Sequence, residues 1–212
     1  MAKPATHKRT PRKRTIREAR TGPASDAIGS LTPGIETYIL THGQFSLIDA
    51  LVYLGHQTGP CDLTVSVWTA GDQDLQHLAA LLGSGQFRNV RFLVDRSFIT
   101  RQPDYCARLR SLFGDGCIRT ARTHAKFCTV RNERWTLAVR TSMNLNFNPR
   151  LESIEISDDA ELCEFLDAEV SRYFADQPPG TFDAEMTTPA ATGVTVGTVT
   201  ATRLYRTLPA IS

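Results

Sequence analysis

The stretch THAKFCTVRNERWTLAVRTSMNLN, residues 123–146, holds four side chains whose types and spacing suit work on a phosphate. His124 and Lys126 stand two apart, and so do Ser142 and Asn144. Residues two apart in a strand project from one face. If the two pairs lie on adjacent strands, an imidazole, an ammonium, a hydroxyl and a carboxamide converge. Lys126 and Asn144 would hold the non-bridging oxygens of a phosphodiester while His124 attacks phosphorus, splitting one hard step into two through a covalent intermediate. Fixed donors would meet the charge that develops. Lys126 is also the only lysine after Lys13 in a chain that otherwise uses arginine.

These residues need a hairpin to bring them together. The sequence predicts one: strands HAKFCTV and WTLAV joined by a turn at RNER. Upstream, alternating apolar residues predict strands over 62–68 and 89–95, with a short one at 117–120. Helical spacing predicts helices over 44–57, 72–85 and 103–116, stopped by Gly59-Pro60 in the first case and by glycine in the others. A strand at 153–157 and a helix at 158–174 follow, the latter with acids in its first turn, where the helix dipole favours them. Strands alternating with helices imply an α/β fold with a mixed sheet flanked by helices. Residues 1–34 are basic and rich in turn formers and read as a disordered arm and linker. The ordered domain is expected over 35–175, and 176–212 is a Thr/Gly/Pro/Ala-rich tail expected to be flexible.

The pattern HAKFCTV…TSMNLN, set in this order of elements, resembles the HxK…GSxN signature of the phospholipase D superfamily over about residues 35–175. The resemblance implies a phospholipase D-like half-domain in which His124 is the nucleophile, Lys126, Ser142 and Asn144 belong to the phosphate site, and Glu152 supports a catalytic histidine. It also implies a second histidine to protonate the leaving oxygen. His7, His42, His56 and His77 lack a lysine two residues on, and His42, His56 and His77 read as structural or surface groups. One motif therefore implies a homodimer with His124 contributed by both copies. The superfamily chemistry uses no metal or other cofactor. The chain departs from the signature in three ways: Arg131 replaces the usual acid, Thr141 replaces the glycine, and three extra residues separate Lys126 from Ser142.

Charge patterning bears on the substrate. Residues 1–20 hold eight Lys/Arg against Glu18, and residues 88–150 hold thirteen against four acids. Acid-rich blocks lie between and after them, leaving a net charge of only +2. Two basic blocks predict a surface that faces a polyanion. Arg122, Arg131, Arg134, Arg140 and Arg150 flank the motif, and Lys8, Arg9, Arg12, Lys13 and Arg14 populate the arm; all are candidate contacts to DNA or RNA. Five cysteines without a CxxC pair favour free thiols in a reducing, cytoplasmic setting over zinc or disulfides. No apolar run reaches the ~18 residues of a membrane span, and no secretory leader or lipid-facing segment is evident. The leading expectation is a metal-independent nuclease. A catalytically impaired nucleic-acid-binding protein and a phospholipid phosphodiesterase are the alternatives.

Overall fold

Eight strands form one mixed sheet in the order β1-β2-β8-β7-β6-β3-β4-β5 in this computed structural model. The strands are β1 (Lys13–Ala19), β2 (Ile35–Thr41), β3 (Cys61–Val67), β4 (Phe87–Asp95), β5 (Ile118–Ala121), β6 (Phe127–Arg131), β7 (Thr136–Thr141) and β8 (Glu152–Ser157). The helices are α1 (Ala24–Ile28), α2 (Leu47–Thr58), α3 (Asp72–Gly83), α4 (Phe98–Arg101), α5 (Pro103–Phe113) and α6 (Ala160–Asp176). The structure describes residues 13–68, 70–146 and 149–180, except for the side chains of Asp72 and Gln73. The expected α/β class with a mixed sheet is what the chain forms.

Alternation along the strands sorts side chains onto two faces. Leu63, Val65 and Val67 of β3 and Val90, Phe92 and Val94 of β4 join a large buried cluster with Leu47, Leu51 and Leu54 of α2, Leu75 and Leu78 of α3, and Leu109 of α5. Leu93, Ala121 and Phe127 project to the other face, where Val170 of α6 covers them. β3, β4 and β5 run parallel and are linked through helices; β6, β7 and β8 then turn back antiparallel to their neighbours. Local signals set the ends of α2: Ser46 and Asp49 form a reciprocal capping box, and Gly59 terminates it at φ 78°, a conformation that favours glycine.

From Lys13 onward the chain departs from the expected disordered arm. Lys13–Ala19 is an edge strand in parallel register with Ile35–Thr41, and α1 packs beside it. The pattern was hard to read because the strand carries so few apolar residues, and its largest, Ile16, is 73% exposed. Charges on one face replace apolar packing. Arg14 binds the buried Glu36, and Glu155 on β8 pairs with Arg140 on β7. Arg17 reaches the other way and donates to the Ala27 carbonyl at 2.8 Å. The tail beyond residue 180 and the arm before 13 lie outside the described residues.

Arg131, where the signature would carry an acid, ends β6 at the far edge of the sheet from His124. Its guanidinium lies 3.0 Å from Asp167 of α6. Asp167 also accepts from Thr129 Oγ1 at 2.7 Å and Arg91 at 3.2 Å. One buried carboxylate thus joins two strands to the covering helix, and Arg131 supplies part of its neutralising charge. Restoring the acid with Arg131→Asp should set two carboxylates against each other. A loss of about 1–3 kcal/mol in urea unfolding is expected, reduced from the range for fully buried pairs because Arg131 is partly exposed.

Candidate active site

The ends of β3, β4 and β5, the start of β6, the end of β7 and the start of β8 all lie at one edge of the sheet, as the parallel and antiparallel registers require. Ligands of open α/β sheets bind outside the carboxyl ends of the parallel strands. His124 and Lys126 sit here, in an extended segment just before β6 rather than within the predicted strand. Their backbone is nevertheless held. Thr123 N–H donates to Asp95 at 3.0 Å, Ser66 Oγ donates to the Ala125 carbonyl at 3.0 Å, and Thr141 N–H donates to the Lys126 carbonyl at 3.2 Å.

Lys126 folds back onto His124. Its Nζ lies 3.3 Å from Nδ1 and 3.4 Å from Nε2 of the ring, and donates to the His124 carbonyl at 3.1 Å. An ammonium in this position can donate to whichever ring nitrogen is unprotonated. Partial burial pushes the Lys126 pKa below its ordinary value; Glu152 opposes this and Arg150 adds to it.

Ser142 and Asn144 leave β7 at the same edge but do different things. Ser142 Oγ donates a short hydrogen bond to Glu152 and accepts from Ser153 N–H at 2.8 Å, so it stitches the start of β8 to the end of β7. Glu152 also accepts from Arg150 Nε at 2.9 Å. Asn144 is buried, and its Oδ1 accepts from Trp68 N–H at 3.2 Å. That bond aligns the segment after β3 with the segment after β7. The Ala70–Leu145 bridge extends the alignment, with Gly71 so close that a Cβ there would lie 3.3 Å from Asn146 Cβ.

The other candidate contacts scatter. Arg122 is exposed just after β5 and Arg150 just before β8, so both stand at the site edge. Arg131 and Arg134 belong to the opposite edge, and Lys13 begins β1 there. Arg14 and Arg140 face carboxylates on the sheet surface. Lys8, Arg9 and Arg12 lie outside the described residues. Among the described residues no three or more His, Cys, Asp or Glu side chains gather as a metal cage, and no helix is long and apolar enough to cross a membrane. A cleft of about 910 Å³ opens at the opposite edge, lined by Arg88, Arg91 and Arg131, each facing a carboxylate within 4 Å.

No family profile matches the chain, and no curated protein sequence does. Among solved structures it is similar to Nuc from Salmonella typhimurium, a phospholipase D family member, with 14% identity over 68% of this chain and 97% of that one at a TM-score of 0.47. It is also similar to NucT from Helicobacter pylori, with 11% identity over 66% of this chain and 96% of that one at a TM-score of 0.45. Polyphosphate kinase from Porphyromonas gingivalis is similar at 13% identity and a TM-score of 0.49, over 70% of this chain but 27% of the kinase.

Three site-edge residues carried no motif signal. Trp68 tilts at 59° beside the His124 ring, with centroids 5.6 Å apart, and Arg101 lies over the Trp68 ring with its Cζ 3.6 Å from the centroid. Asp95 is buried and holds both Thr123 and Ser97. Trp68 and Asp95 could have been found from one cue, polar or aromatic residues at the carboxyl ends of predicted parallel strands.

The lysine environment is directly measurable, because the chain has only four lysines. With 13C-labelled lysine, NMR titration should show one signal, absent in Lys126→Arg, that deprotonates below the ordinary value of about 10.4. Burial disfavours the charged form, so the sign is downward. Glu152→Gln removes a favourable negative charge and should lower the value further. Arg150→Ala removes a repulsive positive charge and should raise it.

Proposed function

We propose that the chain is a metal-independent phosphodiesterase cleaving DNA or RNA as a homodimer. The observation that carries this reading is the contact of Lys126 Nζ with the His124 ring at the carboxyl edge of the sheet, with Ser142 and Glu152 closing the neighbouring strand ends. In this mechanism a ring nitrogen of His124 attacks phosphorus and the leaving oxygen departs with a proton from a second imidazolium. The resulting imidazole then takes a proton from water as water attacks phosphorus and releases His124. Lys126 meets the negative charge on the non-bridging oxygens. Asn144, at the same edge, is the amide assigned to assist it. Glu152 acts as a positioning residue through Ser142.

A second copy is part of this reading because the other histidines among the described residues do not stand beside His124. His42 stands at the same sheet edge, with its Nε2 3.0 Å from Glu18. It directly follows β2, three strands from β6. At strand spacing that is about 14 Å, too far for both rings to reach one phosphorus. His56 and His77 lie on α2 and α3. A two-fold partner supplies the missing imidazole as its own His124.

Arg122, Arg150 and Arg101 at the edge favour a polyanion, whose binding should weaken steeply with salt. The impaired-protein alternative loses force because Arg131 serves the Asp167 contact at the far edge, away from the reacting groups. The test is cleavage of single- and double-stranded DNA and RNA in EDTA. Activity is expected to survive chelation and to fall about 100-fold or more in His124→Ala. Sedimentation should give twice the 23.5 kDa chain mass. Strict divalent-metal dependence would sink the mechanism. Binding without cleavage by either protein would leave only a nucleic-acid-binding role.

A further inference from the structure

We infer that Trp68 and Arg101 form a stacking platform for an unpaired nucleobase beside the phosphate site, making single-stranded nucleic acid the substrate class. This rests on the nuclease reading above and adds to it what the strand must offer besides phosphate.

The platform is built rather than incidental. Trp68 is half-buried at the end of β3, and its backbone N–H is bound to Asn144 Oδ1 at 3.2 Å. Its ring sits 5.6 Å from the His124 ring, within the reach of one nucleotide whose phosphate lies at His124 and Lys126. The Arg101 guanidinium lies at stacking distance over the indole, its Cζ 3.6 Å from the centroid. Arg101 Nε donates to Ser97 Oγ at 2.9 Å, and Ser97 N–H donates to Asp95 at 2.9 Å. Arg101 is therefore tethered, through Ser97, to the same buried carboxylate that holds Thr123 ahead of His124.

Arg101 is exposed, and no carboxylate pairs with it among the described residues. Contrast Arg14, Arg88, Arg91, Arg131 and Arg140, each of which faces an acid. An arginine held over tryptophan, open to solvent and left without a counter-charge among the described residues matches what nucleic-acid sites use, because bases stack on aromatic rings and on guanidinium planes. Such stacking tolerates any base, since every base has a π-face. It discriminates against a duplex, where neighbouring pairs already cover both faces and the base would have to be flipped out.

The test uses the full chain carrying His124→Asn, in EDTA, with fluorescein-labelled probes of equal length. These are an oligo-dT, an oligo-rU, an abasic strand and a duplex. In anisotropy titrations both base-bearing strands should bind about tenfold more tightly than the abasic strand. That ratio should fall close to one in Trp68→Ala and in Arg101→Ala, and stay near its original value in Trp68→Phe. Duplex affinity should not respond to Trp68. Arg101→Ala alters only an exposed side chain, so it decides the matter even if Trp68→Ala folds poorly. An unchanged ratio in Arg101→Ala and Trp68→Ala, with all probes still bound, overturns the platform and leaves the nuclease reading standing. Failure of every probe to bind overturns the nuclease reading, and the platform with it.

Discussion

The Asp95 carboxylate is the interaction on which the site edge depends. It is buried at the last position of β4, and both of its oxygens are used. One accepts from Thr123 N–H, and the other from the backbone and hydroxyl of Ser97. Buried backbone donors must find partners, and loops that leave a sheet have lost theirs. Asp95 supplies them to two loops at once, the one that delivers His124 and the one that leads to Arg101. Carboxylates that accept backbone N–H bonds make strong, directional contacts. Because one group serves both loops, the placement of the His124 segment relative to the Arg101 segment is set by the fold rather than by independent loop conformations.

The same economy explains how an irregular segment can hold His124 and Lys126 in place. His124–Lys126 is not a strand, so it lacks a full ladder of hydrogen bonds on either side. Ser66 on β3 and Thr141 at the end of β7 supply two bonds to its carbonyls, and Thr123 Oγ1 accepts from Ala125 N–H at 3.1 Å. Asn144 then ties the end of β7 back to Trp68. Several chain segments at this edge are thus bonded to one another through the short polar side chains of Ser66, Asp95, Ser142 and Asn144.

Much of this was legible in the sequence because the strands obey a period of two and the helices carry clear stops. The predicted strands at 89–95 and 153–157 match β4 and β8 within two residues, and α5 begins at the predicted Pro103. The edge strand β1 was hidden for a physical reason. Charged pairs across β1, β2 and β8 replace the apolar alternation by which strands are recognised. The clustering of arginines misled in a similar way. Nearness in sequence to His124 placed Arg131 and Arg134 at the site, but a β-strand carries the chain to the far side of the sheet within five residues. Strand ends could have pointed to Trp68, but Arg101 was illegible because its significance lies in a contact across different loops, and no spacing rule encodes it.

The lone lysine can be understood against the arginines. Arg14, Arg91, Arg131 and Arg140 all engage carboxylates, the task for which a planar fork with several donors is suited. Lys126 has no such partner within ion-pair distance among the described residues; its polar contacts are the ring and the carbonyl of His124. A guanidinium would extend beyond the ring and project its donors toward Glu152, which already holds Ser142 and Arg150. Its charge would then be drawn toward that carboxylate network rather than kept beside the imidazole. An ammonium is compact and partly desolvated here, and stays beside the ring with its remaining donors directed outward. At this one position the chain requires a small cation that is not neutralised from within the protein, and lysine meets that requirement where arginine would not.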